Sequence, residues 1–125
     1  MRGDYVKKVL IIEDNELNIT ILIGTLGKEY DLSVALDAEE AYEALEDELP
    51  DLILLDIILG TISGIEICKQ IKSDKRTAAI PVMFLTAAND ILLKKSAVDA
   101  GGDGFMTKPF KSDILREKIQ TLIKG

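Results

Sequence analysis

The stretch Val9-Leu10-Ile11-Ile12-Glu13-Asp14 sets four consecutive apolar residues directly against two carboxylates. A continuous apolar run of this length suits a strand buried on both faces, as in a parallel sheet. Working outward, the same form recurs. Leu52-Ile53-Leu54-Leu55 runs into Asp56, and Val82-Met83-Phe84-Leu85 runs into Thr86. Leu32-Ser33-Val34-Ala35-Leu36 is a weaker version, and Gly104-Phe105-Met106-Thr107 is a fifth, shorter candidate followed by Lys108-Pro109.

Between these runs apolar residues step by three or four, the spacing of one helix face. Ile19, Leu22, Ile23 and Leu26 form the first stripe; Ala38, Ala41, Tyr42, Leu45 and Leu49 form the second. Ile65, Cys68 and Ile71 follow, and Leu115, Ile119, Leu122 and Ile123 close the chain. Asp37 and Asn89 are expected as N-caps of the second and fourth helices. Strand and helix therefore alternate five times. Such an order implies right-handed crossovers and a parallel sheet covered on both faces, an α/β fold. Ligands in such sheets sit beyond the carboxyl ends of the strands, at a topological switch point.

Composition narrows the chemistry. The 125 residues are 47% hydrophobic, with no internal repeat or Pro/Gly/Ser-rich linker, which suits one compact domain. Lys plus Arg is 15 against 22 Asp plus Glu, a net charge of −7, so direct nucleic-acid or anionic-membrane binding is not expected. No run reaches the roughly 18 to 20 apolar residues of a membrane span, and Met1 to Lys8 lacks a signal-type apolar stretch; a cytoplasmic setting is expected. One Cys and no His exclude a disulfide framework, a Cys-rich zinc site and any His-based catalysis. Cys68 reads as a small buried apolar residue, and Lys7 and Lys8 as solvated charge ahead of the first strand.

The strand ends gather what remains. Glu13-Asp14, Asp56, Thr86 and Lys108 fall at the ends of four of the five strands. Three carboxylates converging on one crevice repel unless a cation joins them, and oxygen-only ligands point to Mg²⁺ or a similar hard ion. Carboxylates, a hard metal, a Lys and a hydroxyl are what a transferring phosphoryl group requires.

These residues in this order resemble the receiver domain of two-component response regulators. Leu10-Ile11-Ile12-Glu13-Asp14 is similar to its acidic pair, and Leu54-Leu55-Asp56 to its acceptor strand. Gly64 matches the glycine opening its third helix, Leu85-Thr86-Ala87 its switch hydroxyl, Lys108-Pro109-Phe110 its lysine-proline motif, and Phe105 its switch aromatic. The resemblance covers about Lys8 to Lys124, as one receiver domain within 1–125. It implies a CheY-like, flavodoxin-like doubly wound sheet of five strands in order 2-1-3-4-5 with five helices. It implies that Asp56 accepts a phosphoryl group from a sensor histidine kinase or phosphotransfer protein. Glu13, Asp14, Asp56 and the backbone carbonyl of Ile58 would hold Mg²⁺, while Thr86 and Lys108 would contact phosphoryl oxygens. Thr86 would then move toward the new charge and vacate space for Phe105, reshaping the surface around the fourth helix, fifth strand and fifth helix. The implied role is a switch rather than a turnover enzyme.

Some features depart from that pattern or bear two readings. Ile57-Ile58-Leu59-Gly60 carries no proline where the family often has one, and Gly60 makes the loop more permissive. Ile58 and Ala88 cannot hydrogen-bond an attacking water through their side chains, so a long-lived phosphoryl state is expected. Ile91, Lys94, Lys95 and Val98 share a face of the fourth helix. In the family that face binds output partners or a second receiver in a homodimer; the plain alternative is scattered surface hydrophobics. Leu17 and Ile21 lie off the first helix's stripe, near where kinase helices dock in the family; a wide buried face explains them more simply. Among rival functions, a haloacid-dehalogenase-type phosphatase needs an Asp where Ile58 stands. A flavodoxin-like electron carrier needs a phosphate cradle where Glu13-Asp14-Asn15-Glu16 would repel one. A P-loop is absent. A pseudo-receiver scaffold that is never phosphorylated is the remaining alternative.

Overall fold

A computed structural model gives the conformation of residues 6–60, 62–87 and 90–124. In chain order the elements are β1 (Lys8–Ile12), α1 (Glu16–Leu26), β2 (Asp31–Ala35), α2 (Ala38–Asp47), β3 (Leu52–Leu55), β4 (Ile58–Leu59), β5 (Ile62–Ser63), α3 (Gly64–Ser73), β6 (Val82–Thr86), α4 (Ile91–Asp99), β7 (Gly104–Thr107) and α5 (Ser112–Lys124). Five strands form one parallel sheet in the order β2-β1-β3-β6-β7. Counted within the sheet this is 2-1-3-4-5, with five helices, as the sequence implies. The sequence reading did not anticipate β4 and β5, a two-stranded antiparallel hairpin after Asp56. Gly60 sits at its turn with φ +58°, a left-handed conformation that costs glycine little.

Why the runs are continuously apolar is now visible: alternate residues of each strand meet different helices. Leu10, Ile12, Ile53, Leu55, Val82 and Phe84 face Ala41, Leu45, Ile67, Cys68, Ile71 and Ala97 of α2, α3 and α4. Val9, Ile11, Leu52, Leu54, Met83 and Leu85 face Leu22 and Leu26 of α1 and Leu115 and Ile119 of α5. The two cores lie on opposite sides of one sheet.

Several local expectations are met and others corrected. Asp37 caps α2, its side chain accepting from the Glu40 amide at 2.8 Å, while Glu40 reaches back to the Leu36 amide. The cap of α4 is Asp90, which accepts from the Leu92 amide at 2.7 Å; Asn89, expected in that role, lies outside the described residues. α1 does not bury a wide face. Leu22 and Leu26 are buried, whereas Leu17 is 68% exposed and Ile21 and Ile23 nearly half exposed. Lys8 is not merely solvated charge: it belongs to β1, and its ammonium pairs with Asp31 and Glu48. No helix among the described residues is long and apolar enough to cross a membrane.

Candidate functional site

The sheet order sets β3 between β1 and β6, with β7 beyond β6. The residues at the carboxyl ends of these four neighbouring strands therefore share one edge. Glu13 follows β1, Asp56 follows β3, Thr86 ends β6 and Lys108 follows β7. The chain leaves β1 toward β2 on one side and reaches β3 on the other, so the edge beside β1 and β3 is the switch point of the sheet.

Lys108 joins the acidic groups. Its ammonium lies 2.6 Å from Glu13 Oε1 and 3.1 Å from Asp56 Oδ2. All three side chains are nearly buried, at 11%, 3% and 10% exposure respectively. Both oxygens of Asp56 are engaged, because Oδ1 accepts from the Ile58 amide at 3.2 Å. The second oxygen of Glu13 accepts from the Asn15 amide at 3.3 Å. Burial raises the pKa of Glu13; Lys108 opposes the shift, and the charge of Asp56 adds to it. Thr86 is fully buried, its carbonyl accepting the Lys108 amide at 2.9 Å. No buried side-chain polar atom among the described residues lacks a partner. The Lys108–Pro109 peptide is cis.

Gly64 closes the floor. Its amide donates to the Ile57 carbonyl at 2.6 Å, and a Cβ placed on it would overlap the carbonyl oxygen of Asp56. No other residue type fits there without moving the backbone that carries Asp56. Asp14 is exposed beside the cluster, and Ile58 is 62% exposed on the hairpin. Ala88 lies outside the described residues. The structure thus joins Glu13 and Asp56 through Lys108 and places Thr86 at the same edge. Among the described residues, no three His, Cys, Asp or Glu side chains are drawn into a ready-made metal cage. The donors nonetheless suit a hard cation: they are oxygens only, and two nearly buried carboxylates share the one ammonium of Lys108.

Phe105 stands opposite Phe84 across β7 and β6, ring centroids 6.4 Å apart and tilted by 39°. The ammonium of Lys94, on α4, lies 5.7 Å from the centre of the Phe105 ring. Sequence reasoning did not find this contact, nor that of Lys72. The Lys72 ammonium donates to the carbonyls of Ala78 and Ile80 and to Asp103 Oδ2.

A model of the response regulator receiver domain family matches residues 9–120. The chain belongs to that family. The receiver is 36% identical over 119 residues to the alkaline phosphatase synthesis transcriptional regulatory protein PhoP of Bacillus subtilis, covering 94% of this chain and 49% of PhoP. It is 29% identical over 117 residues to histidine kinase P4 of Formosa agariphila, covering 94% of this chain but 8% of the kinase. The chain spans about half the length of PhoP, and less of several other curated relatives it matches. Among solved structures, a putative response regulator from Chloroflexus aurantiacus superposes with a TM-score of 0.92 at 28% identity, covering 97% of this chain and 100% of that one. The receiver domain of sensor histidine kinase PA1611 from Pseudomonas aeruginosa, solved with a magnesium ion coordinated in its active site cleft, gives 0.88 at 25% identity, covering 97% and 100%. Receivers are in general phosphorylation switches of two-component signalling rather than turnover enzymes.

Proposed function

We propose that this receiver switches when Asp56 accepts a phosphoryl group from a phosphohistidine on a sensor histidine kinase or phosphotransfer protein. The observation that carries this reading is the Asp56 carboxylate, buried at the centre of the edge and held by Lys108 on one oxygen and the Ile58 amide on the other. A carboxylate oxygen attacks phosphorus, the phosphorus–nitrogen bond breaks, and an acyl phosphate forms as the imidazole leaves and takes up a proton. Lys108 neutralises oxygens of the group in transit, and the Thr86 hydroxyl donates to one of them afterwards. Glu13, Asp14, Asp56 and the Ile58 carbonyl would hold Mg²⁺, which when bound supplies charge neutralisation to the same oxygens. Glu13 and Asp56 orient that donor set through their fixed second oxygens. The phosphorylated state then acts on an output partner or segment through α4, β7 and α5, in the cytoplasm.

Intact mass after incubation with Mg²⁺ and acetyl phosphate tests the reading. One added phosphoryl group on the wild type, absent from Asp56→Asn and from samples lacking Mg²⁺, is the expected result. No gain either from acetyl phosphate or from a phosphorylated histidine phosphotransfer domain would overturn it in favour of a scaffold. Ile58 offers water no side-chain hydrogen bond, so the label is expected to persist after the donor is removed; rapid spontaneous loss would contradict that point alone.

A further inference from the structure

α4 is lightly attached. Of its nine residues only Ala97 is buried, Leu93 is half-buried, and Ile91, Leu92 and Val98 are 82%, 70% and 58% exposed. A side chain that ties this helix to the sheet therefore carries weight out of proportion to its size. Beside Ala97 and Leu93, which pack on the core, Lys94 is such a side chain: its ammonium lies over Phe105 within the roughly 6 Å reach of a cation–π contact. Phe105 in turn leans on Phe84, one strand residue before Leu85-Thr86. The contact belongs to the arrangement in which Lys108 pairs with the Asp56 carboxylate.

Resting on the switch reading above, we infer that Lys94 is a positioning residue whose ammonium, seated over the Phe105 ring, holds α4 and the ring in the unphosphorylated arrangement. Lys94 touches neither Asp56 nor the phosphoryl group and acts through Phe105. A contact made in one state only biases the equilibrium between states by its own free energy. An exposed cation–π contact corresponds to a shift of about two- to fivefold. By linkage, a variant without it binds a phosphoryl mimic tighter by that factor.

The test is titration of the receiver with beryllofluoride in Mg²⁺, followed by methyl NMR of Ile91 and Val98. Lys94→Met is expected to tighten the apparent Kd about two- to fivefold, and Lys94→Arg to restore the wild-type value. Lys95→Met, which removes the neighbouring charge paired with Asp99, controls for long-range electrostatics and is expected not to tighten binding. In a Phe105→Leu background the effect of Lys94→Met should vanish. An unchanged or weaker Kd in Lys94→Met overturns the inference, as does equal tightening in Lys95→Met or persistence of the effect without the ring. If the wild type itself gives no response that Asp56→Asn abolishes, the switch reading fails, and this inference with it.

Discussion

Two glycines show how differently one residue type is used. Gly64 sits where any Cβ meets the carbonyl of Asp56, and backbone cannot give way as a side-chain tip can. Gly64→Ala is expected to destabilise the fold by about 1–3 kcal/mol and to lower phosphoryl uptake at temperatures where the variant is still folded. Urea unfolding and intact mass measure the two effects separately. Gly24, in the exposed part of α1, has nothing within 4 Å of where a Cβ would stand. Gly24→Ala should therefore stabilise by about 0.5–1 kcal/mol; a loss of stability would show that the open space is not real. Cys68 makes a third case at this scale. Burial pushes its thiol up to about 11. The folded state keeps a proton that the unfolded chain releases near its ordinary value of 9.0. Its contribution thus costs nothing below that value, and stability falls as pH rises from there through about 11. At pH 8 the native thiol should resist a disulfide reagent and react fully in urea. Rapid labelling of the native protein would contradict the burial assigned to α3.

At the scale of elements, β1, β3, β6 and β7 were legible because each is a short run of local sequence, and the buried faces of α2, α3 and α5 because apolar residues recur every three or four positions. Asp56, Thr86 and Lys108 could be placed because each follows directly on such a run. What was not legible depends on distance in sequence. Lys72 fastens the end of α3 to residues 78–80 and to Asp103, 31 positions away, and Asp103 also receives the Val82 amide at 2.9 Å. Nothing in the spacing of Lys72 announces this. Arg116 likewise reaches back to Glu29 and the Thr25 carbonyl. α1 misled for another reason: apolar residues lie all around it, so periodicity cannot say which stripe faces the sheet. The hairpin of β4 and β5 is too short for any period to mark. The Lys72 contacts carry a prediction. Lys72→Met keeps the stem but leaves the Ala78 and Ile80 carbonyls and Asp103 short of a donor, and should destabilise by about 1–3 kcal/mol. A midpoint in urea within error of the wild type would reduce the brace to a surface contact.

For the whole molecule, the decisive contact spans nearly the whole chain. Glu13 and Lys108 are 95 positions apart, so the first and last strands of the switch meet in one ion pair. Among the described residues the Lys108 ammonium alone pairs with these two nearly buried carboxylates, one positive charge against two negative. If Glu13 and Asp56 hold Mg²⁺ as proposed, the folded state binds it and the unfolded chain does not, so the ion must raise stability by mass action. At ten times its Kd the gain is about 1.4 kcal/mol, a rise in Tm of several degrees for a chain of this size. Asp56→Asn removes one of the charges that attract the ion and should lose most of that rise. Tm measured against Mg²⁺ concentration in both proteins, at constant ionic strength, separates this from general screening of the −7 net charge. Screening would raise both proteins alike, and would do so equally with Na⁺. A response to Mg²⁺ shared by wild type and Asp56→Asn would place the cation effect on the acidic surface, away from the edge where Lys108 draws the two carboxylates together.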